Sequence, residues 1–252
     1  MAVCGRAARS PIGWRANSAW PKLVCSADGK RSRRLAGRSS RRVPGTRRPR
    51  APRRKRLIKK LADTVAEEAA KHPDKPIEVW ATDEHRLGLK PIHRRVWAPI
   101  GERPIALGHH RYEWLYVTGF VAPASGETVW YLSNGIDKPF FAKLLAAFAR
   151  ETGAGRDRII VLQLDNAGWH GPENLPVPDG IRLIYQPPRS PELQPAERLW
   201  PLVDQPLVNK HFETINHLDG TVAARCCSLQ QDHSSVKNHT NFHWWPKTIN
   251  PS

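Results

Sequence analysis

The first sixty residues contain one acid, Asp28, against 20 of the chain's 40 Lys and Arg. That segment therefore carries +19, while the other 192 of the 252 residues sum to −2. Its Arg, Ala, Pro, Gly and Ser bias shows no helical or strand period, so residues 1–54 are expected to be disordered rather than to build a core. A polycation of this kind binds polyanions, nucleic acid first, through phosphate contacts that carry no sequence information. Its apolar residues are too scattered for a secretory h-region. Nowhere does an apolar run approach the roughly 18–20 residues needed to cross a bilayer, so a soluble protein with no membrane partner is expected.

Cysteine is scarce as well. Cys226 and Cys227 are adjacent, a spacing that rarely closes a disulfide, and neither they nor Cys4 and Cys25 form a C-x-x-C knuckle. A reducing interior is the default. His239 and His243 follow at H-x3-H spacing, but without a proper Cys pair no zinc site is expected.

What remains is a nearly neutral body with 40% apolar residues over the whole chain, ample for a core. "KRLIKKLADTVAEEAAKH" places Leu57, Leu61, Val65 and Ala69 four apart, an amphipathic helix ended by the prolines of "HPDKP". "IEVWAT", "RRVWAP", "WLYVTGFVAP" and "ETVWYLS" read as strands, the antiparallel members of one sheet. Asp137 caps a helix whose buried stripe is Phe140, Phe141, Leu144, Leu145 and Phe148, with Gly153 and Gly155 at its end. The apolar strand 158–164, the strand "IRLIYQ" and a helix with its first turn at Pro195 to Glu197 follow, with a further helix expected around 206–218. This order predicts an α/β protein, a mixed sheet with helices on its faces.

Three acids fall at suggestive places in this layout: Asp83 at the end of the first strand, Asp165 where strand 158–164 emerges, and Glu197 in the first turn of a later helix. If the two strands are neighbours, their ends set Asp83 and Asp165 side by side and the helix brings Glu197 across. Three carboxylates without a basic partner cannot all stay ionised at close range unless cations neutralise them, and hard oxygen ligands favour Mg2+ or Mn2+. Two such ions support in-line displacement at phosphorus. Glu84, next to Asp83, points to the opposite face of an extended strand and is expected to miss the site. Glu192 is a fallback third acid, while Asn166 and His170 are expected to support the acids or position substrate.

"WATDEHRLGL", "LQLDNAGWH" and "QPPRSPELQPAERLW" resemble the three acidic motifs of DDE transposases of the mariner superfamily, in its bacterial insertion-sequence branch, and "TNFHWWP" resembles their C-terminal end. The resemblance spans about residues 55–246. It implies a ribonuclease-H-like fold, catalytic and metal-holding acids at Asp83, Asp165 and Glu197, and Mg2+ or Mn2+, as two ions. It also implies double-stranded DNA as partner, at transposon ends and target, a homodimer when active, and a bacterial cytoplasmic location on the nucleoid. The implied organisation is a basic segment (1–54) without the family's usual helix-turn-helix, a linker helix (55–75), a catalytic domain (76–220) and a C-terminal tail (221–252). Arg189 and Gln194 depart from the common aromatic and Asn of the third motif. Another ribonuclease-H-like nuclease, or an inactive remnant that only binds nucleic acid, are the alternatives.

Overall fold

A computed structural model describes residues 50–94, 111–171 and 173–250. The basic segment up to residue 49 and most of the expected strand "RRVWAP" lie outside the described residues. Five strands form one sheet: β1 (Ile77–Gly88), β2 (Trp114–Ala122), β3 (Glu127–Ser133), β4 (Ile159–Leu164) and β5 (Ile181–Tyr185). Their order is β3-β2-β1-β4-β5, with β1–β2 and β2–β3 antiparallel and β1–β4 and β4–β5 parallel. The mixed sheet flanked by helices is therefore the architecture expected from the sequence.

The strand period sorts each strand's residues to two cores. From β1, Ile77, Val79 and Ala81 join Val161 of β4 on one face; Trp80 joins Ile160, Leu162 and Leu164 on the other. The second face is covered by α2 (Lys138–Thr152), whose Phe141, Leu144, Leu145 and Phe148 are buried. The expected cap is present, since the Asp137 side chain accepts from the Phe140 amide, and Gly153 closes the helix in the left-handed region at φ 70°.

The first face is covered by helices from both sides of the sheet in sequence. α1 (Arg50–Lys71) contributes Leu57, Leu61 and Val65. α3 (Trp200–Asp204), α4 (Ile215–Gln231) and α5 (His233–Thr240) contribute Trp200, Leu202, Leu218, Val222, Leu229 and Val236. Two expectations are corrected here. Pro195–Arg198, expected as the first turn of a helix, is a separate 3-10 turn that runs into the short α3. The helix expected at 206–218 is displaced: residues 205–213 form turns, a bridge from Val208 to Ile92 and irregular chain, Thr214 accepts from the His217 amide as cap, and α4 runs on to Gln231.

Candidate active site

β1 does not end at Asp83 as the sequence suggested. It pairs in parallel with β4 as far as Ala81 opposite Gln163, then continues to Gly88 against β2 alone. Two positions further along the register of the first pairing, Asp83 comes level with Asp165, just past the end of β4. Both have the parity of the face that carries α1 and α3. Adjacent strands are about 4.8 Å apart, so the pairing of distant segments sets the two aspartates at neighbouring strand exits.

The third acid is brought across by two buried amides. Gln163 Nε2 donates to the Leu193 carbonyl at 2.8 Å, and Gln194 Nε2 donates to the Thr82 carbonyl at 2.9 Å. These bonds stitch the segment before Glu197 onto β1 and β4, while Ala196 and Leu199 sink into the core on either side of it. Gln194 thus keeps a structural role of its own. Glu197 stands exposed at the mouth, and Glu192 is exposed in the preceding turn (Pro191–Leu193).

Electrostatics tie the three together. The Asp83 carboxyl is pushed up to about 7 by burial, with Glu197 and Glu84 adding repulsion against the lowering effect of the Trp200 indole, whose Nε1 donates to Asp83 Oδ2 at 2.9 Å. Glu197 is raised by desolvation, which outweighs the nearby His85 and is reinforced by Asp165. Asp165 goes the other way. Desolvation opposes its charge, but hydrogen bonds from His170 and the Ala167 amide, at 2.7 and 2.8 Å, hold its carboxyl below the usual range.

His170 is completely buried against the Phe141 ring, 4.3 Å between centroids, and both its nitrogens face carboxylates: Nδ1 toward Asp165, Nε2 toward Glu84 at 3.0 Å. Burial alone would lower its pKa; the two carboxylates raise it to about 9, so it is an imidazolium at neutral pH. Glu84 does lie on the opposite face from Asp83. It nonetheless reaches the site through His170, and it also accepts from Trp169 Nε1 at 3.2 Å. Asn166 donates to the Gln186 carbonyl at 2.6 Å, fastening the β4 exit to the β5 exit.

Sequence reasoning missed four contributors. Glu84 was set aside on strand parity, which says nothing of a histidine reaching over from another segment. Trp200 and His85 stack at 5.0 Å, and His85 Nε2 meets Asp204 Oδ1 at 2.9 Å, so Asp204 and His85 hold the indole that binds Asp83. The signal available for Trp200 was Gly119, opposite Asp83 on β2: a side chain there would press on Leu199, Trp130 and the Trp200 ring. Among the described residues no group of three His, Cys, Asp or Glu is gathered tightly enough to hold a metal ion. A recess of about 620 Å³ lined in part by Pro206, His217 and Arg225 holds none of the acids.

The mixed sheet flanked by helices, together with the family match over residues 78–219, gives a polynucleotidyl-transferase-like fold. The chain belongs to the DDE superfamily endonuclease family, whose model matches residues 78–219. It is 34% identical over 116 residues to an uncharacterized protein, y4pE/y4sA, of Sinorhizobium fredii, an alignment covering 46% of this chain and 82% of that one. Among solved structures it is similar to the Mos1 transposase paired-end complex with the left transposon end, at 13% identity and TM-score 0.48 over 83% of this chain and 68% of that one. The Mos1 paired-end complex with Mg matches at 14% identity and TM-score 0.47, covering 82% and 68%, and that with Mn at 13% and 0.44, covering 75% and 62%.

Proposed function

We propose that the chain is the catalytic part of a mariner-type DDE transposase, hydrolysing phosphodiesters at transposon DNA ends and joining the freed 3′-hydroxyl to target DNA. The observation that carries this reading is the register that brings Asp83 level with Asp165, with Glu197 electrostatically coupled to both. The catalytic unit is assigned to residues 76–220, with 55–75 as linker helix and 221–252 as C-terminal tail.

The chemistry of the donor set suits Mg2+ or Mn2+, although the three carboxylates are not drawn together as tightly as bound ions would hold them. All three groups are hard oxygens, and the negative charge of Glu197 helps push Asp83 up while that of Asp165 helps push Glu197 up, a surplus that divalent cations relieve. Asp83, Asp165 and Glu197 are the residues that would hold two such ions, with Glu192 in reserve. Bound there, the ions supply activation of the attacking oxygen and stabilisation of the leaving oxygen.

The chain's own residues prepare that site. The Trp200 indole fixes Asp83 Oδ2, and His170 and the Ala167 amide converge on Asp165 Oδ1. Asn166 keeps the β4 exit in place beside the substrate path. Double-stranded DNA is the partner and a homodimer the working form, consistent with the paired-end complexes solved for Mos1.

The test is nicking of a labelled terminal-repeat duplex in Mg2+ or Mn2+. Asp165→Ala is expected to lower the rate by roughly 10³-fold or more, since metal-held charge stabilisation is worth several kcal/mol and each 1.36 kcal/mol is a decade. Nicking that persists in that variant removes the assignment.

A further inference from the structure

We propose that residues 53–60, the basic half of α1, form a docking ridge for the phosphates of duplex DNA at the acid-bearing end of the sheet. This rests on reading those acids as a DNA-cutting site. Six of these eight residues are Lys or Arg and none is acidic. Leu57 and Leu61 turn inward and are buried, while Lys55 and Lys59 are exposed on the opposite side of the helix and Arg56 and Lys60 are exposed on its flank. The ion pairs seen within α1 come later, where Lys71 meets Glu67 and Glu68.

The direction of α1 places this charge. At one end Glu68 Oε2 meets Arg182 Nε at 2.9 Å, at the start of β5; at the other, Arg53 Nη1 donates to the Pro188 carbonyl at 3.1 Å, just past the end of β5. α1 therefore runs antiparallel to β5. Because β5 is parallel to β4, the basic half lies at the end of the sheet where Asp165 emerges. The exposed Arg189, next to Pro188, adds a cation between the ridge and the segment leading to Glu197.

Eight helical residues make a rigid ridge about 12 Å long. Its outward face offers lysines and an arginine with no aromatic or aliphatic anchor. Protein interfaces are depleted in Lys, whereas phosphate contacts are built from such side chains, so nucleic acid fits better than an acidic protein. The placement also answers an electrostatic need. A phosphate backbone entering a cleft of three acids is repelled, and flanking cations offset that repulsion before any metal is bound.

The experiment uses the full chain in EDTA, so that binding is read without cutting. Affinity for a duplex oligonucleotide is followed from about 50 to 200 mM salt. Each phosphate contact contributes about 0.9 to the slope of log K against log salt, so Lys55→Gln, Arg56→Gln, Lys59→Gln and Lys60→Gln together are expected to reduce it by about 2 to 4. Lys55→Arg, Lys59→Arg and Lys60→Arg together are expected to leave it unchanged. A photo-crosslinking residue at Lys59 is expected to label the duplex well above one at Arg156, which lies by the opposite end of β4. An unchanged slope in the Gln variant, equal labelling at the two positions, or displacement of the duplex by polyglutamate at equal charge would each overturn the ridge. If the ridge maps as expected while Mg2+-dependent nicking is absent, the cutting assignment alone falls.

Discussion

At the scale of single residues, Asp83 and His170 carry opposite pH signatures. An unperturbed Asp titrates near 3.9 and Asp83 near 7, so the folded protein binds the extra proton between these values. Stability from this group is lost as pH rises through that window. Asp83→Asn, neutral throughout, is expected to melt higher than wild type at pH 8 without divalent ions, by up to ~4 kcal/mol, and equally near pH 3. Adding Mg2+ is expected to raise the melting temperature of wild type and not of the variant. For His170 the folded pKa lies above 6.5, so its contribution is complete below that and lost as pH rises through about 9. His170→Ala strands the almost fully buried Glu84 carboxylate and is expected to cost roughly 3–5 kcal/mol in urea unfolding at pH 6, less at pH 9, with part recovered by Glu84→Gln. Asp83, Asp165 and Glu197 were visible in the sequence because each follows a local boundary. The Glu84–His170 tie was not, since its partners are 86 positions apart and meet only because β1 and β4 pair in parallel and set both beyond the same end.

At the scale of elements, β1 shows why boundaries were harder to read than existence. Its apolar run stops at Ala81, where the parallel partner ends, and the remaining residues are held by β2, a pairing no local pattern announces. The shift of the expected 206–218 helix to Ile215–Gln231 has a similar cause. α4 has little amphipathic contrast, with Gly220 and adjacent cysteines in it, and its burial depends on the sheet face it covers. At Gly119 β2 packs closely against the segment that carries Leu199 and Trp200. Added methyls there would press on the indoles of Trp130 and Trp200, so Gly119→Val is expected to displace Trp200 from Asp83 and cost about 1–3 kcal/mol as overpacking. Denaturant unfolding checks the cost. Equal stability with an unaltered Trp200 indole NMR shift would refute the contact's role.

At the scale of the whole molecule, the family match at residues 78–219 and the folding unit do not coincide. One sheet face is closed by α2, inside the match. The other is closed partly from inside it, by Leu199, Trp200 and Val203, and partly from outside: Leu57, Leu61 and Val65 from α1, then Val222, Cys226, Leu229, Val236 and Trp245 beyond residue 219, all nearly inaccessible to solvent. Near the C-terminus Ile249 exchanges two backbone hydrogen bonds with Ile77, and Trp245 Nε1 donates to the Val79 carbonyl at 3.4 Å. A sheet cannot leave one apolar face in water, and each large side chain removed from a core costs several kcal/mol. A fragment of residues 78–219 is therefore expected to lack near-ultraviolet circular dichroism, bind hydrophobic dye and unfold without a cooperative transition, whereas residues 50–250 are expected to unfold in one step. A cooperative transition in the shorter fragment would show that α1 and α4–α5 are accessories to the sheet. In that case the Asp83–Asp165 register would survive without them, since the β1–β4 pairing would then need only the α2 face.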